Sequence, residues 1–277
     1  MTSFGTYVTN FVKTAIYTIL PNKVDEYSYE HYVAEYFTLF RFQGDVKVGL
    51  EFFKHYADVI AILADINSKH ETKLERVWLE KVTGLCRRYS SWTAAHVAAS
   101  LNFLPAFRDQ RIISIINKVD PETGWTPIFV AVKAGNVEAV KAIMAVRDFR
   151  RGVVDLEQNS VLHLASALAS VEILKILLDA APNGDGAASS SGTLRLPMGC
   201  RQNDRVDVNA MNANGETALH IACSTPSPEC VEALLKAGAS PLIGTADLYP
   251  IHIAIEKDST DHCEKGIYAY LDMGQMR

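Results

Sequence analysis

The sequence predicts a mostly α-helical protein, a solenoid of about five stacked repeats with one long insertion, behind a small α-rich N-terminal region. Three observations predict it. A six-residue signature recurs five times, and three of its four intervals lie between 32 and 34 residues. In three copies an apolar pair follows the signature alanine by the same 12 and 13 residues, the offset of a second helix packed on the first. Turn residues stand just ahead of the signatures, most clearly Thr123-Gly124 and Asn214-Gly215, where positive φ costs little.

Residues 1–89 carry no repeat. Phe4, Tyr7, Val8, Phe11, Val12, Ala15, Ile16, Ile19 and Leu20 follow helical spacing and form one apolar stripe that Pro21 ends. The stripe is read as packing against protein rather than lying on a membrane. Lys13 is the only basic residue before Pro21, whereas interfacial helices are rich in Lys and Arg. Tyr27 to Phe42 is aromatic and partly alternating, the pattern of one or two strands, and Val46–Ile66 and Glu71–Arg88 read as amphipathic helices.

The repeats occupy residues 90–277. Their signatures are Thr93-Ala-Ala-His-Val-Ala98, Thr126-Pro-Ile-Phe-Val-Ala131, Ser160-Val-Leu-His-Leu-Ala165, Thr217-Ala-Leu-His-Ile-Ala222 and Tyr249-Pro-Ile-His-Ile-Ala254. Each resembles the T-P-L-H-x-A signature of ankyrin repeats, whose period is about 33 residues. Thr or Ser suits the N-cap of a short helix, and Pro suits its first position. Second helices are predicted over Val137–Met144, Val171–Leu178 and Pro228–Leu235, the last stopped by Gly238. The interval of 57 between His163 and His220 marks an insertion, residues 181–205, which contains the polar, glycine-rich run Pro182–Gly192. This composition belongs to a flexible loop and is read as a spacer, in preference to a phosphorylation site at Ser189–Ser191 or a docking peptide at Leu194–Pro197. A further helix is expected around Glu264–Leu271, with an array that ends uncapped, because Tyr268, Tyr270, Leu271 and Met273 do not make the polar face of a terminal repeat.

Four aligned histidines, His96, His163, His220 and His252, invite a metal or catalytic reading. Their spacing argues for a structural one: side chains that recur once per repeat stand about one repeat apart and serve stacking. Phe129 replaces the histidine in the second repeat, which a shared chemical role does not tolerate. The five cysteines, Cys86, Cys200, Cys223, Cys230 and Cys263, form no C-x-x-C pair and read as free thiols of a reducing compartment. No apolar run reaches the roughly 18 residues of a bilayer span, and the N-terminus lacks the basic start of a signal peptide. The cytoplasm is the expected compartment, with peripheral membrane contact as a secondary expectation. A net charge of −5 argues against nucleic acid as a partner. No phosphate loop, H-E-x-x-H or Rossmann glycine pattern is present, and Gly238-Ala-Ser-Pro-Leu242 lacks the second glycine of a nucleophile elbow. No catalytic residue, metal site or cofactor is therefore expected.

The repeats also resemble those of the group VI calcium-independent, patatin-like phospholipases. Ser91-Trp-Thr-Ala-Ala-His-Val-Ala98, Arg111-Ile-Ile-Ser114 and Gly124-Trp-Thr-Pro127 carry the resemblance. So do Asn214-Gly-Glu-Thr-Ala-Leu-His-Ile-Ala-Cys223, Tyr249-Pro-Ile-His252 and the start, Phe4-Gly5 with Val8 and Phe11. Phe129 and the insertion depart from the pattern. The resemblance implies a regulatory and oligomerising segment of a cytosolic, membrane-associating enzyme that hydrolyses the sn-2 ester of glycerophospholipids. In that family the G-x-S-x-G serine and its aspartate follow the repeats, and they have no counterpart in this sequence, so no functional residue transfers. The alternative is a freestanding ankyrin adaptor. On either reading the expected partners are proteins: an unrelated protein, a second copy, or a full-length phospholipase. Their contacts are expected at the finger tips, on Glu122, Thr123, Trp125, Asn212, Asn214, Glu216, Asp247 and Tyr249.

Overall fold

The computed structural model describes residues 46–70, 76–179, 206–225, 227–244, 249–250 and 252–253. The expected helix over residues 4–20, the strands of 27–42, the insertion, Asp247 and the last helix lie outside the described residues. The chain divides into two compact units between Ile115 and Ile116.

In the first unit, α1 (Val46–His70) and α2 (Arg76–Arg88) correspond to the two amphipathic stretches of the sequence. Val59, Leu63 and Ile66 on α1 and Val82 and Cys86 on α2 are buried, at the i, i+4, i+7 spacing that gives a helix one apolar face. Both helices pack on α3 (Ala94–Ser100), the first signature helix, which is buried from Ala94 to Ala99. His55 Nε2 lies 3.0 Å from the Trp92 carbonyl at the entry to α3. The outer segment of this repeat is broken into a 3₁₀ turn, Leu104–Arg108, and one helical turn, α4 (Gln110–Ile113). Asp109 separates them. Its carboxylate accepts from the Arg111 backbone N–H as an N-cap and pairs with the Arg111 guanidinium at 2.7–2.9 Å. That guanidinium reaches Asp65 of α1 at 2.6 Å and holds the Asp109 carboxyl down at about 2.

The second unit stacks antiparallel helix pairs. Its inner helices are α5 (Pro127–Lys133), α7 (Val161–Ala167) and α9 (Ala218–Ser224), and its outer helices are α6 (Val137–Met144), α8 (Val171–Asp179) and α10 (Pro228–Lys236). Inner helices pack α5 on α7 on α9, and outer helices α6 on α8 on α10. Ile143 and Met144, Leu177 and Leu178, and Leu234 and Leu235 are all buried, as their constant offset from the signature alanine requires. At Gly135 the chain leaves the inner helix in the left-handed region, φ 70°; Gly135 N–H donates to Val132 O and Asn136 N–H to Ala131 O. This is the Schellman closure, which satisfies carbonyls the helix end would orphan. Ala169 (φ 51°) repeats it after α7, and Gly238 (φ 91°) after α10.

Candidate protein-binding face

Each inner helix is preceded by a hairpin finger, and the histidines decide how rigidly the two are joined. His163 Nδ1 accepts the Ser160 backbone N–H at 3.0 Å and sits 2.7 Å from the Ser160 hydroxyl. A backbone N–H can only donate, so Nδ1 is unprotonated and Nε2 carries the hydrogen. Nε2–H then donates 3.0 Å to the Glu216 carbonyl at the end of the next finger. One neutral imidazole thus ties its own N-cap to the neighbouring repeat. His96 with Thr93 and His220 with Thr217 repeat the N-cap geometry, with hydroxyl to Nδ1 distances of 2.8 Å. In the fifth repeat Tyr249 N–H donates to His252 Nδ1 at 3.4 Å. These contacts occupy the rings as structural braces. In the second repeat Phe129 fills the same place with a fully buried ring that accepts nothing, and the buried Thr126 hydroxyl is left without a partner.

Three fingers of the second unit are described, and each is closed by a short polar turn. In the first, Asp120 N–H donates to Trp125 O, Gly124 N–H donates to Asp120 O, and the Asp120 carboxylate takes the Thr123 N–H and hydroxyl. In the second, Gln158 N–H donates to Asp155 O and the Asp155 carboxylate accepts from the Glu157 and Asn159 amides. The third, Asn212–Glu216, matches it: Asn212 Oδ1 accepts from Asn214 N–H and Glu216 N–H. Gly124, Gln158 and Gly215 take positive φ just before the strand returns, a turn that needs one left-handed residue. The fingers adjoin. Ala213 N–H donates 2.9 Å to Glu157 O, Asn212 Nδ2 reaches Asn159 Oδ1 at 3.0 Å, and Leu156 lies so close to Gly124 that a Cβ there would sit 2.5 Å from the Leu156 nitrogen.

The residues expected from sequence divide by what they touch. Glu122 and Asn214 are exposed, and Trp125, Asn212, Glu216 and Tyr249 are half-buried. Thr123 and Asn212 are bound within their turns; Trp125 stacks on Phe129 at 6.5 Å, and Tyr249 meets His252 edge-on at 5.4 Å. The finger between them carries no glycine to mark it in the sequence. Leu156, 65% exposed, and Glu157 stand at its tip, where the only signal is register, four and three residues before the Ser160 N-cap. Among the described residues the exposed large apolar side chains are Val119, Val154, Leu156, Met211 and Leu242, all in the segments ahead of inner helices and none on a helix. Val119, Val154 and Met211 each immediately precede the Asp or Asn that opens a finger turn, so they form one column across the repeats.

The described residues include no cluster of three or more His, Cys, Asp or Glu able to hold a metal, and no helix long and apolar enough to cross a membrane. The arrangement suits recognition: a rigid helical stack presenting turns whose tips combine apolar and acidic groups. Comparison with known proteins agrees. The family model "Ankyrin repeats (3 copies)" matches residues 96–188 and 186–265. The chain is 28% identical over 173 residues to the B-cell lymphoma 3 protein homolog of Mus musculus, covering 58% of this chain and 32% of that one. It is 27% identical over 153 residues to the transient receptor potential cation channel subfamily A member 1 of Homo sapiens, covering 55% and 11%. The 85/88 kDa calcium-independent phospholipase A2 of Rattus norvegicus is 38% identical, over 60 residues that make up 22% of this chain and 7% of the enzyme. The chain thus spans about a third or less of the length of these relatives, and the phospholipase likeness is confined to a short stretch. The braced N-caps, the Schellman closures, the fingers and the match over more than half of its length place this chain in the ankyrin-repeat family.

Proposed function

We propose that the chain is a protein-binding segment that recognises a polypeptide along the fingers of its repeats. The observation that carries this reading is the row of adjoining fingers, at or just ahead of whose turns Val119, Val154, Leu156 and Met211 are exposed while the described helices bury their large apolar side chains. A rigid scaffold bearing variable turns is the arrangement in which binding residues commonly stand. Glu122, Thr123, Trp125, Asn212, Asn214, Glu216, Asp247 and Tyr249 belong to the proposed face, with Leu156 and Glu157 added. The buried thiols of Cys86, Cys223 and Cys230, none of them in a disulfide, support a reducing compartment, the cytoplasm. A photo-crosslinking residue at position 156 of the full chain, expressed in cells, should give a discrete covalent adduct that the same residue at Glu232 of the outer helix does not. Equal labelling from both positions, or none from either, overturns the reading.

A second reading rests on the 38% identity over 60 residues to the rat calcium-independent phospholipase. It makes the chain the regulatory and oligomerising segment of a patatin-type lipid hydrolase whose catalytic groups lie elsewhere. Mixed with such a phospholipase, the chain should co-elute with it and lower sn-2 ester hydrolysis. Separate elution with unchanged hydrolysis removes this reading and leaves the first intact.

A further inference from the structure

Ion pairs among the described residues join Asp65 to Lys69 and Arg111, Asp109 to Arg111, Glu138 to Lys141 and Glu232 to Lys236. The fingers of the second unit hold four carboxylates outside these pairs. Glu122, Asp155, Glu157 and Glu216 lie on three adjoining fingers, and none of these four carboxylates makes an ion pair with a described residue. Their hydrogen bonds come from neutral groups, Asn159 Nδ2 to Asp155 and Glu157, and Asn212 and Asn214 Nδ2 to Glu216. The turns 120–125, 155–159 and 212–216 contain no Lys or Arg; Lys118, Arg150 and Arg151 come before them in the chain. Among these carboxylates stand Leu156 at 65%, Met211 at 53% and Val154 at 38% exposure.

From this juxtaposition we propose that the fingers of the second unit dock a basic polypeptide segment in which Lys or Arg side chains flank apolar anchors. The inference rests on the protein-binding reading above and adds the chemistry of the partner. Charge complementarity selects the partner. Several carboxylates of one sign on a common edge repel an acidic segment and draw a cationic one, and the effect is felt most strongly in the rate of encounter. Exposed apolar side chains supply what the charges cannot. Exposed ion pairs are worth about 0–1 kcal/mol each, so lasting contact needs apolar side chains that leave water against Leu156, Val154 and Met211. The same carboxylates disfavour an anionic membrane surface as the occupant.

The test uses the full chain and a phage-displayed peptide library of unbiased composition, with selected peptides then measured by fluorescence anisotropy. Selected sequences should be enriched in Lys and Arg interleaved with Leu, Ile, Met or aromatic residues. Their affinity should fall several-fold between 50 and 300 mM salt, because screening shortens the reach of exposed charges to within roughly 10 Å. Two variants separate the contributions: Glu157→Gln with Glu122→Gln should flatten the salt dependence, and Leu156→Ser with Met211→Ser should cut affinity at least ten-fold at either salt. Circular dichroism should show both retaining the fold. Acidic or uncharged selected peptides that still lose binding with Leu156→Ser overturn the partner chemistry and leave the protein-binding reading standing. No selected peptide of any kind, or binding indifferent to all four substitutions, overturns both. Vesicles of anionic lipid that bind the chain through Leu156 and Met211 also refute the proposal.

Discussion

Replacing Thr126 by Val should stabilise the protein, while the same replacement at the equivalent Thr217 should destabilise it. The two threonines occupy the same N-cap position and both are 1% exposed. Thr217 Oγ1 sits 2.8 Å from His220 Nδ1 and completes a capping box, whereas Thr126 faces Phe129 and its hydroxyl has no partner. A buried hydroxyl without a partner costs about 1–3 kcal/mol. Val removes that cost, keeps the shape, and suits the extended backbone of Thr126, φ −98° and ψ 168°. A gain of about 1–2 kcal/mol is expected. At Thr217 the capping hydroxyl and its contact with His220 Nδ1 are lost while the backbone N–H stays bound, which costs about 1–2 kcal/mol. In a chain of this size each kcal/mol moves the thermal midpoint by roughly 2–4 °C, so the two variants should melt about 5 °C or more apart. Urea and thermal unfolding by circular dichroism read the difference. A Thr126→Val midpoint at or below that of the wild type refutes the argument that the Phe129 repeat carries an orphaned hydroxyl.

Three further outcomes follow from the same lattice. Ala169→Gly should raise stability by about 0.5–1 kcal/mol, since φ 51° costs an L-residue about 1–2 kcal/mol and glycine returns part of that as chain entropy; an unchanged urea midpoint counts against it. Gly124→Ala should cost about 3 kcal/mol or more, because its Cβ would meet the Leu156 nitrogen at 2.5 Å on top of the strain of φ 75°. Gly135→Ala, with φ 70° and open space around it, should cost only the strain, about 1–2 kcal/mol; equal losses at both sites would show that the finger contact is soft. Stability should also fall with acid through His163. Burial, opposed by the Glu216 carbonyl and by the charges of Asp155 and Glu216, holds this imidazole below its ordinary 6.5, so the unfolded chain takes up the proton first. Its contribution is whole above about pH 6.5 and is lost as pH drops below that value. The urea midpoint followed from pH 7.5 to 5 should decline less steeply in His163→Gln than in the wild type, and parallel curves would remove His163 as the cause.

The second helices were the most legible part of the molecule. Val137–Met144 has the bounds read from periodicity, and the other two run one residue further, to Asp179 and Lys236. Their signal is a burial pattern repeated at constant offset, which stacking imposes on every copy. The first repeat gave no such signal because Asp109 caps a new turn inside its outer segment and Pro105 opens the preceding one, so the apolar spacing never completes a helix. The fingers were legible only where glycine marked them. Gly124 and Gly215 point to two tips, but Gln158 adopts φ 61° without glycine's signature, so the finger carrying Leu156 has no such mark. Nor does sequence alone show that Thr123 and Asn212 are absorbed by their own turns, since the same residue types serve equally as hydrogen-bonding groups for a partner.

The division between helix and finger also bears on how far similarity to other proteins can carry. His163 must be neutral and must reach both its own N-cap and the next finger, and the apolar pairs of α6, α8 and α10 must be buried in register. These demands come from stacking and are the same whatever the stack binds, so any array of this kind meets them with similar residues. The exposed side chains at the tips are under less demand, although their backbones close the turns and touch the next finger. Where finger two carries Leu156 and Glu157, finger three carries Ala213 and Asn214 at matching places, and both close the same turn. Resemblance dominated by the lattice therefore fixes the fold and leaves the partner open, which is why one array can resemble a lymphoma protein, a cation channel and a phospholipase together. On the reading proposed above, partner choice rests on a few exposed side chains at or beside the finger turns: Leu156, Glu157, Met211 and Glu122. Altering them should change what is bound while leaving the unfolding transition within about 0.5 kcal/mol of the wild type, the usual range for surface substitutions.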